Sequence, residues 1–390
     1  LAVDPDQRHL YVVNPNFDLL HDGGSVVTID LAKNTFVPEA SIQVPNFGGV
    51  LLLRENDAGR LVGYLPDRST SGLTWFFIDK AADGTPVFRC SEVAAPEGQP
   101  ADCDRNHRVT RARVNDRTLT LGGDPYGAGT RELPSGEGIL FTGSLSDGVL
   151  AVMELDDEGA PTLVDSRTLA DAGLYGIATS PASNVTYVAT QFAQRLYTVT
   201  TEPATVQTLP APAPDVPPTE PGEEVAELGP ISAISAIDLA NAASGSTFAQ
   251  SIVFHPDGSR AYATFRAPPA VAVLDTSVDG SGKPRNTLLG WIPVGSRPAE
   301  MALVPRQSGP GWLLYVVCFT SNELWVIDTE QLAVVDVIRT GIGPYDAVFV
   351  SNPELQLRRL YVTLFEEDSV AAIELDERSP FYHQVVSAIR

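Results

Sequence analysis

Six short segments carry the residues best suited to chemistry: FGG (Phe47–Gly49), GGDPYG (Gly122–Gly127), LYG (Leu174–Gly176), TFAQ (Thr247–Gln250), SRPAE (Ser296–Glu300) and GIGPYDA (Gly341–Ala347). Each stands just ahead of a short apolar run. Gly and Pro in them fix turns, and between them come Asp124, Tyr126, Tyr175, Gln250, Arg297, Glu300, Tyr345 and Asp346. Gathered at one mouth, these form a ring of aromatics, carboxylates and one arginine, suited to a small polar ligand, a peptide or a cation. A lactonase needs a base and an electrostatic clamp. Glu300 or Asp346 is the candidate base and Arg297 the candidate clamp. The competing reading packs the tyrosines and prolines between structural units and leaves the charges to water.

Recognised catalytic motifs do not add to this set. The sequence has no C-x-x-C-H haem attachment site, no C-x-x-C pair and no nucleophile elbow. His9 and His255 fall in turns of the D-P-D and H-P-D-G type, His21 and His107 in loops, and His383 near the end. No two share metal-ligand spacing. Acidic turns such as Val278–Lys283, Glu154–Gly159 and Lys80–Thr85 lack the alternating oxygen ligands of a calcium loop. Hairpin geometry explains them. Asp30, Asp79, Asp275 and Asp328 end equivalent strands and are expected to accept backbone N–H bonds. Neither a metal nor a cofactor is expected.

The elements that must position these residues are strands. Leu313–Asp328, LLYVVCFTSNELWVID, reads as strand, tight turn, strand: two runs rich in β-branched and aromatic residues, broken by Thr320, Ser321 and Asn322. Similar hairpins begin at Leu10, Leu61, Ile139, Thr186, Ala261 and Leu360, making seven. Each is flanked by further short strands, and the repeat of about 45–50 residues is that of a four-stranded propeller blade. The expected fold is therefore an all-β, seven-bladed β-propeller with four antiparallel strands per blade, forming one domain. Blades are expected at about 1–47, 48–125, 126–174, 175–247, 248–298, 299–344 and 345–390, with insertions at about 81–115 and 209–230.

LYVVN at Leu10–Asn14, LYVVC at Leu314–Cys318 and LYVTL at Leu360–Leu364 are each followed by V-x-x-[IL]-[DE], as in VVTID, LWVID and VAAIE. G-x-x-P precedes two blades, as GSRP (Gly295–Pro298) and GIGP (Gly341–Pro344). The repeat resembles that of the YVTN-type β-propellers over nearly the whole chain. That resemblance implies architecture, since such propellers serve as scaffolds, surface-layer proteins, lactonases and redox enzymes.

Composition agrees with a loop-rich β chain: 390 residues, 43% hydrophobic, with 32 Gly and 31 Pro. A net charge of -23 repels phosphate backbones and argues against nucleic-acid binding. No apolar run is long enough to cross a membrane. Cys90 and Cys103 flank a short loop and are expected to form a disulfide, worth about 3 kcal/mol by chain entropy. Cys318, in an apolar strand, is expected as a buried thiol. A disulfide implies an extracytoplasmic setting: periplasm, outer-membrane surface or secreted. The start at Leu1 is compatible with a signal peptide or lipid anchor upstream.

Two insertions stand out. The first holds the cysteine pair and a basic run, Arg105, His107, Arg108, Arg111 and Arg113, which either docks an acidic partner or pairs locally. The second, Leu209–Pro230, alternates proline with acids and is expected as an extended surface excursion. Since Leu1 opens an inner strand and His383–Arg390 reads as an outer one, the ring closes either by packing or with a strand from upstream. With distinct insertions and no catalytic motif, the sequence favours a non-catalytic scaffold that binds other proteins in an envelope or surface complex. The alternative is a channel-mouth enzyme, either a lactonase-like hydrolase or a cofactor-dependent dehydrogenase.

Overall fold

A computed structural model describes residues 1–91, 101–114, 116–132, 138–183, 185–201, 231–239 and 248–390. The excursion expected at 209–230 lies outside the described residues. The chain folds as a seven-bladed β-propeller. Blades 3 to 7 are four-stranded antiparallel meanders whose strand order follows the sequence. In blade 6, for example, Pro298–Pro305, Trp312–Cys318, Glu323–Asp328 and Ala333–Arg339 run from the channel outward. The hairpin register pairs Leu313 with Asp328 and Cys318 with Glu323.

Consecutive residues Leu313 to Cys318 are all buried, because each blade's middle strands are covered on both faces by its neighbours. This is why the strands read as continuous apolar runs rather than as an in–out alternation. The apolar core is accordingly divided among the interfaces. Blades 6 and 7 share a cluster that includes Tyr315, Val317, Leu360 and Val362. Blades 1 and 2 pack Tyr11 and Ile42 against Phe76 and Phe88. Blades 3 and 4 enclose Phe141, Val152, Val188 and Val199. Burying each such side chain contributes roughly 1.5–3 kcal/mol.

Within the described residues the two ends of the ring meet by packing. Leu10, Ile29 and Leu31 of blade 1 meet Val350, Tyr361 and Ile389 of blade 7. Polar contacts reinforce the seam: Asn352 Nδ2 donates to the Asp6 carbonyl at 3.0 Å, and Asn34 Nδ2 to Ser387 Oγ at 3.1 Å. Among the described residues neither blade borrows a strand from the other.

Blade 2 departs from the simple repeat. Its third strand, Gly72–Lys80, is flanked by two short pieces in place of one fourth strand, Pro86–Arg89 and Arg108–Val109. The chain between them holds the Cys90–Cys103 disulfide, with Cα atoms 4.7 Å apart, and adds Ala101–Asp102 in parallel to blade 1. His107 packs on Trp75 with ring centroids 4.5 Å apart and meets Asp104 at 3.0 Å. Arg108 donates to the Cys103 carbonyl at 3.2 Å, and Arg113 pairs with Asp116 at 3.1 Å. These contacts use part of the basic run locally. Cys318 is a buried free thiol. No helix among the described residues is long and apolar enough to cross a membrane.

Candidate active site at the channel mouth

The innermost strands of blades 3 to 7 share one irregularity near their start. Their pairing with the second strand shifts register between Pro125 and Gly127, Leu174 and Ile177, Ala249 and Ile252, Pro298 and Met301, and Pro344 and Ala347. A bulge bends the strand and re-aims the side chains within it. The bulges hold Tyr126, Tyr175 with Gly176, Gln250 with Ser251, Ala299 with Glu300, and Tyr345 with Asp346. Proline at the first position of three of these strands is tolerated there because a strand start need not donate to the ladder.

The three tyrosines meet. Tyr175 Oη donates to Tyr126 Oη at 3.0 Å, Tyr126 Oη lies 3.1 Å from Tyr345 Oη, and the Tyr175 and Tyr345 hydroxyls also pair. The Tyr126 and Tyr175 rings are tilted against each other with centroids 4.6 Å apart. Burial raises all three hydroxyls above the ordinary tyrosine range, and the charge of Glu300 adds to the effect. They are therefore neutral donors at physiological pH.

Glu300 shares this pocket. Burial pushes its carboxyl up to about 7, and the nearby charge of Asp346 pushes the same way. A hydrogen bond from Ser251 and the Arg266 guanidinium oppose the shift without cancelling it. Asp346 accepts the Ala347 N–H at 2.7 Å, while its own N–H donates to Thr363 Oγ1 at 3.0 Å. Arg266 ends the second strand of blade 5, and burial lowers its pKa, opposed by the tyrosines and assisted by Arg297. The Arg266 Nε and both polar atoms of the Gln250 amide are buried with no hydrogen-bond partner among the described residues. Gln250 is fully buried at the bulge position that the tyrosines occupy in other blades. Unpaired buried groups of this kind carry a desolvation cost.

The other two sequence candidates lie outside this cluster. Asp124 is held by both nitrogens of a forked contact from Arg68, with Nη2 at 3.2 Å. Arg297 is exposed at the rim with φ 55°, its guanidinium 4.8 Å above the Phe319 ring. Arg266 and Ser251 join Glu300 instead, and the sequence reading named neither. Arg266 stands immediately after the strand position paired with the bulge, as Phe319 and Phe365 do in blades 6 and 7. Comparing the residues at that position, blade by blade, is the signal that finds it.

Elsewhere, most of the acidic turns behave as turns. Asp30, Asp275 and Asp328 accept backbone N–H bonds at 2.8–3.0 Å, whereas Asp79 instead pairs with Arg60 and Arg89. Asp4, Asp6 and His9 place potential metal-ligand atoms within 4.8 Å of one another, a grouping the sequence reading did not anticipate. Asp4 is already occupied there by the Arg8 and His9 N–H groups and by His9 Nδ1, and Asp6 by Lys80.

No protein-family model matches the sequence, and no curated protein matches it. Solved structures do match the fold. The periplasmic gluconolactonase PpgL of Pseudomonas aeruginosa superposes with a TM-score of 0.56 at 17% identity, covering 90% of this chain and 87% of that one. A putative 6-phosphogluconolactonase from Bacteroides uniformis gives 0.56 at 14% identity, covering 88% and 85%. The dihydro-heme d1 dehydrogenase NirN, in complex with DHE, gives 0.57 at 14% identity; it covers all of this chain, which spans 65% of that one. Identities this low establish the shared fold. They also correct the expectation of a non-catalytic, protein-binding scaffold. Structures of this fold include proteins named as lactonases and a dehydrogenase, so a lack of catalytic motifs in the sequence is no argument against an enzyme. A propeller assembles its site from single residues on separate blades, and no contiguous motif is required.

Proposed function

We propose that this chain is a hydrolase acting on small cyclic esters at its channel mouth. The observation that carries this reading is Glu300, a carboxyl held near neutrality among three neutral tyrosine hydroxyls and a partly buried arginine. A general base works best when its pKa lies near the working pH. Glu300 takes a proton from water as the water oxygen attacks the lactone carbonyl. The carbonyl π electrons move to oxygen, and the Arg266 guanidinium stabilises that developing charge. Collapse of the tetrahedral intermediate breaks the ring C–O bond, and the leaving alkoxide recovers the proton from Glu300. The tyrosine hydroxyls orient the ring oxygens. The lactonase names carried by two structures of the same fold support the choice of substrate class.

Replacing Glu300 by Gln removes the base while keeping shape. Lactone turnover is expected to fall on the order of a hundredfold to ten-thousandfold with unchanged circular dichroism. Wild-type kcat/KM should rise with pH through about 7, the value of the Glu300 carboxyl. A folded Glu300→Gln variant that retains full turnover would remove this reading.

We further infer a single domain built from YVTN-type repeats, supported by LYVVN, LYVVC and LYVTL at equivalent second strands. An extracytoplasmic location is supported by the Cys90–Cys103 disulfide.

A further inference from the structure

A cleft of about 470 Å³ opens between blades 7 and 1, beside the mouth. Its walls include Val12, Val13, Phe17, Leu364, Phe365 and Val370. Phe17 and Phe365 are 45% and 48% exposed, although aromatic rings of this size are normally covered. The charged groups among the lining residues are Asp18 and Asp368, with His21; among the described residues no lysine or arginine lines the cleft.

Two independent features connect this cleft to Glu300. A ladder of rings runs inward: Phe17 to Phe365 at 5.8 Å, Phe365 to Phe319 at 6.4 Å, and Phe319 to Tyr345 at 6.2 Å. Thr363, which lines the cleft, also accepts the N–H of Asp346, the carboxylate beside Glu300. The cleft and the polar cluster therefore share a wall. The volume falls within the range of small-molecule sites, and the carboxylates with a net charge of -23 repel an anionic group.

We propose that the substrate carries an uncharged alkyl or aryl arm that lies in the cleft between blades 7 and 1 while its lactone ring sits at Glu300. This rests on the hydrolase reading and specifies its substrate class: an alkyl-substituted lactone rather than a phosphorylated sugar lactone. Burial of one methylene corresponds to about a fourfold gain in binding. The aromatic walls receive the arm, and the tyrosine cluster marks where it ends.

The test measures kcat/KM for γ-lactones bearing no arm, a butyl arm and an octyl arm, together with calorimetric binding of 2-octyltetrahydrofuran, which has ring and arm but no scissile carbonyl. The proposal expects a rise of at least tenfold from the armless to the butyl lactone. It also expects the ether to bind both wild type and Glu300→Gln. Phe365→Asp, an exposed change, should lower the octyl-to-armless ratio at least tenfold and weaken ether binding equally. Hydrolysis indifferent to the arm, with no ether binding, overturns this proposal and leaves the hydrolase reading standing. Ether binding that Phe365→Asp abolishes, without hydrolysis of any lactone, overturns the hydrolase reading and keeps the cleft as an apolar-arm site. Neither binding nor hydrolysis overturns both.

Discussion

The two sides of the channel mouth use one backbone device for opposite ends. In blades 3 and 4 the residue after the bulge tyrosine is glycine. A Cβ on Gly127 would lie 1.8 Å from the Tyr175 carbonyl oxygen, and one on Gly176 would lie 2.3 Å from the Gln250 carbonyl oxygen. Backbone there touches backbone of the next blade, and no side chain fits. In blades 5, 6 and 7 the same position holds Ser251, Glu300 and Asp346. The glycine side fixes the ring's radius and brings the tyrosines together; the acid side carries the titrating groups. One strand pattern thus yields a tight wall and a reactive wall, and a single residue per blade decides which.

Breaking the glycine side has the largest expected effect on stability. Gly127→Ala forces blades 3 and 4 apart and should cost about 3 kcal/mol, read as a lower denaturant midpoint, with loss of the tyrosine cluster's near-ultraviolet signal. A variant as stable as wild type would show that the glycine contact does not set the spacing.

On the acid side, Glu300→Gln should do the reverse to stability. Its folded carboxyl titrates at about 7 against an ordinary value of 4.5, so between those values the folded protein holds a proton that the unfolded chain has lost. That contribution is complete below about pH 4.5 and disappears as pH rises through 7. Wild type should therefore weaken over that window, and Glu300→Gln should not, so that the variant is the more stable of the two above it. Parallel melting-temperature profiles for the two proteins would refute the assignment.

Asp346→Asn sharpens the comparison further. Removing the charge that helps raise Glu300 should move the rising limb of kcat/KM to lower pH. The smallest effect is expected for Ser251→Gly, which carries the glycine-side residue into the acid side. It should cost about 1 kcal/mol and move the same limb upward, since the Ser251 hydrogen bond holds Glu300 down. A limb that stays in place in both variants would exclude Glu300 as the titrating group.

The repeat was open to reading because each blade is a local meander. LYVVC and LWVID pair within a few residues of one another, and their composition states strand, turn and strand without reference to the rest of the chain. The same holds for the Cys90–Cys103 bridge, whose partners lie in one insertion. Six of the eight mouth residues were also found in the bulges or against the shared cluster, because turn-forming Gly and Pro mark each blade entry.

The split fourth strand of blade 2 was not legible. Pro86–Arg89 and Arg108–Val109 are separated by an insertion whose path depends on the face of blade 1 that it meets. Nor was Arg266, which lies in the sequence among residues that resemble any hairpin end and becomes part of a site only where blade 5 turns toward Tyr175 and Tyr345.

By itself the sequence determined the number of units, their strand order and where each opens, since hydrogen-bonded neighbours in a meander are close in the chain. Tertiary structure alone decided which charges share low-dielectric space. Asp124 was drawn to Arg68 and away from the centre, while Glu300 was placed beside Asp346, Ser251 and Arg266. Those distances run between blades, across tens of residues of chain, and the electrostatics that tune a carboxyl depend on them.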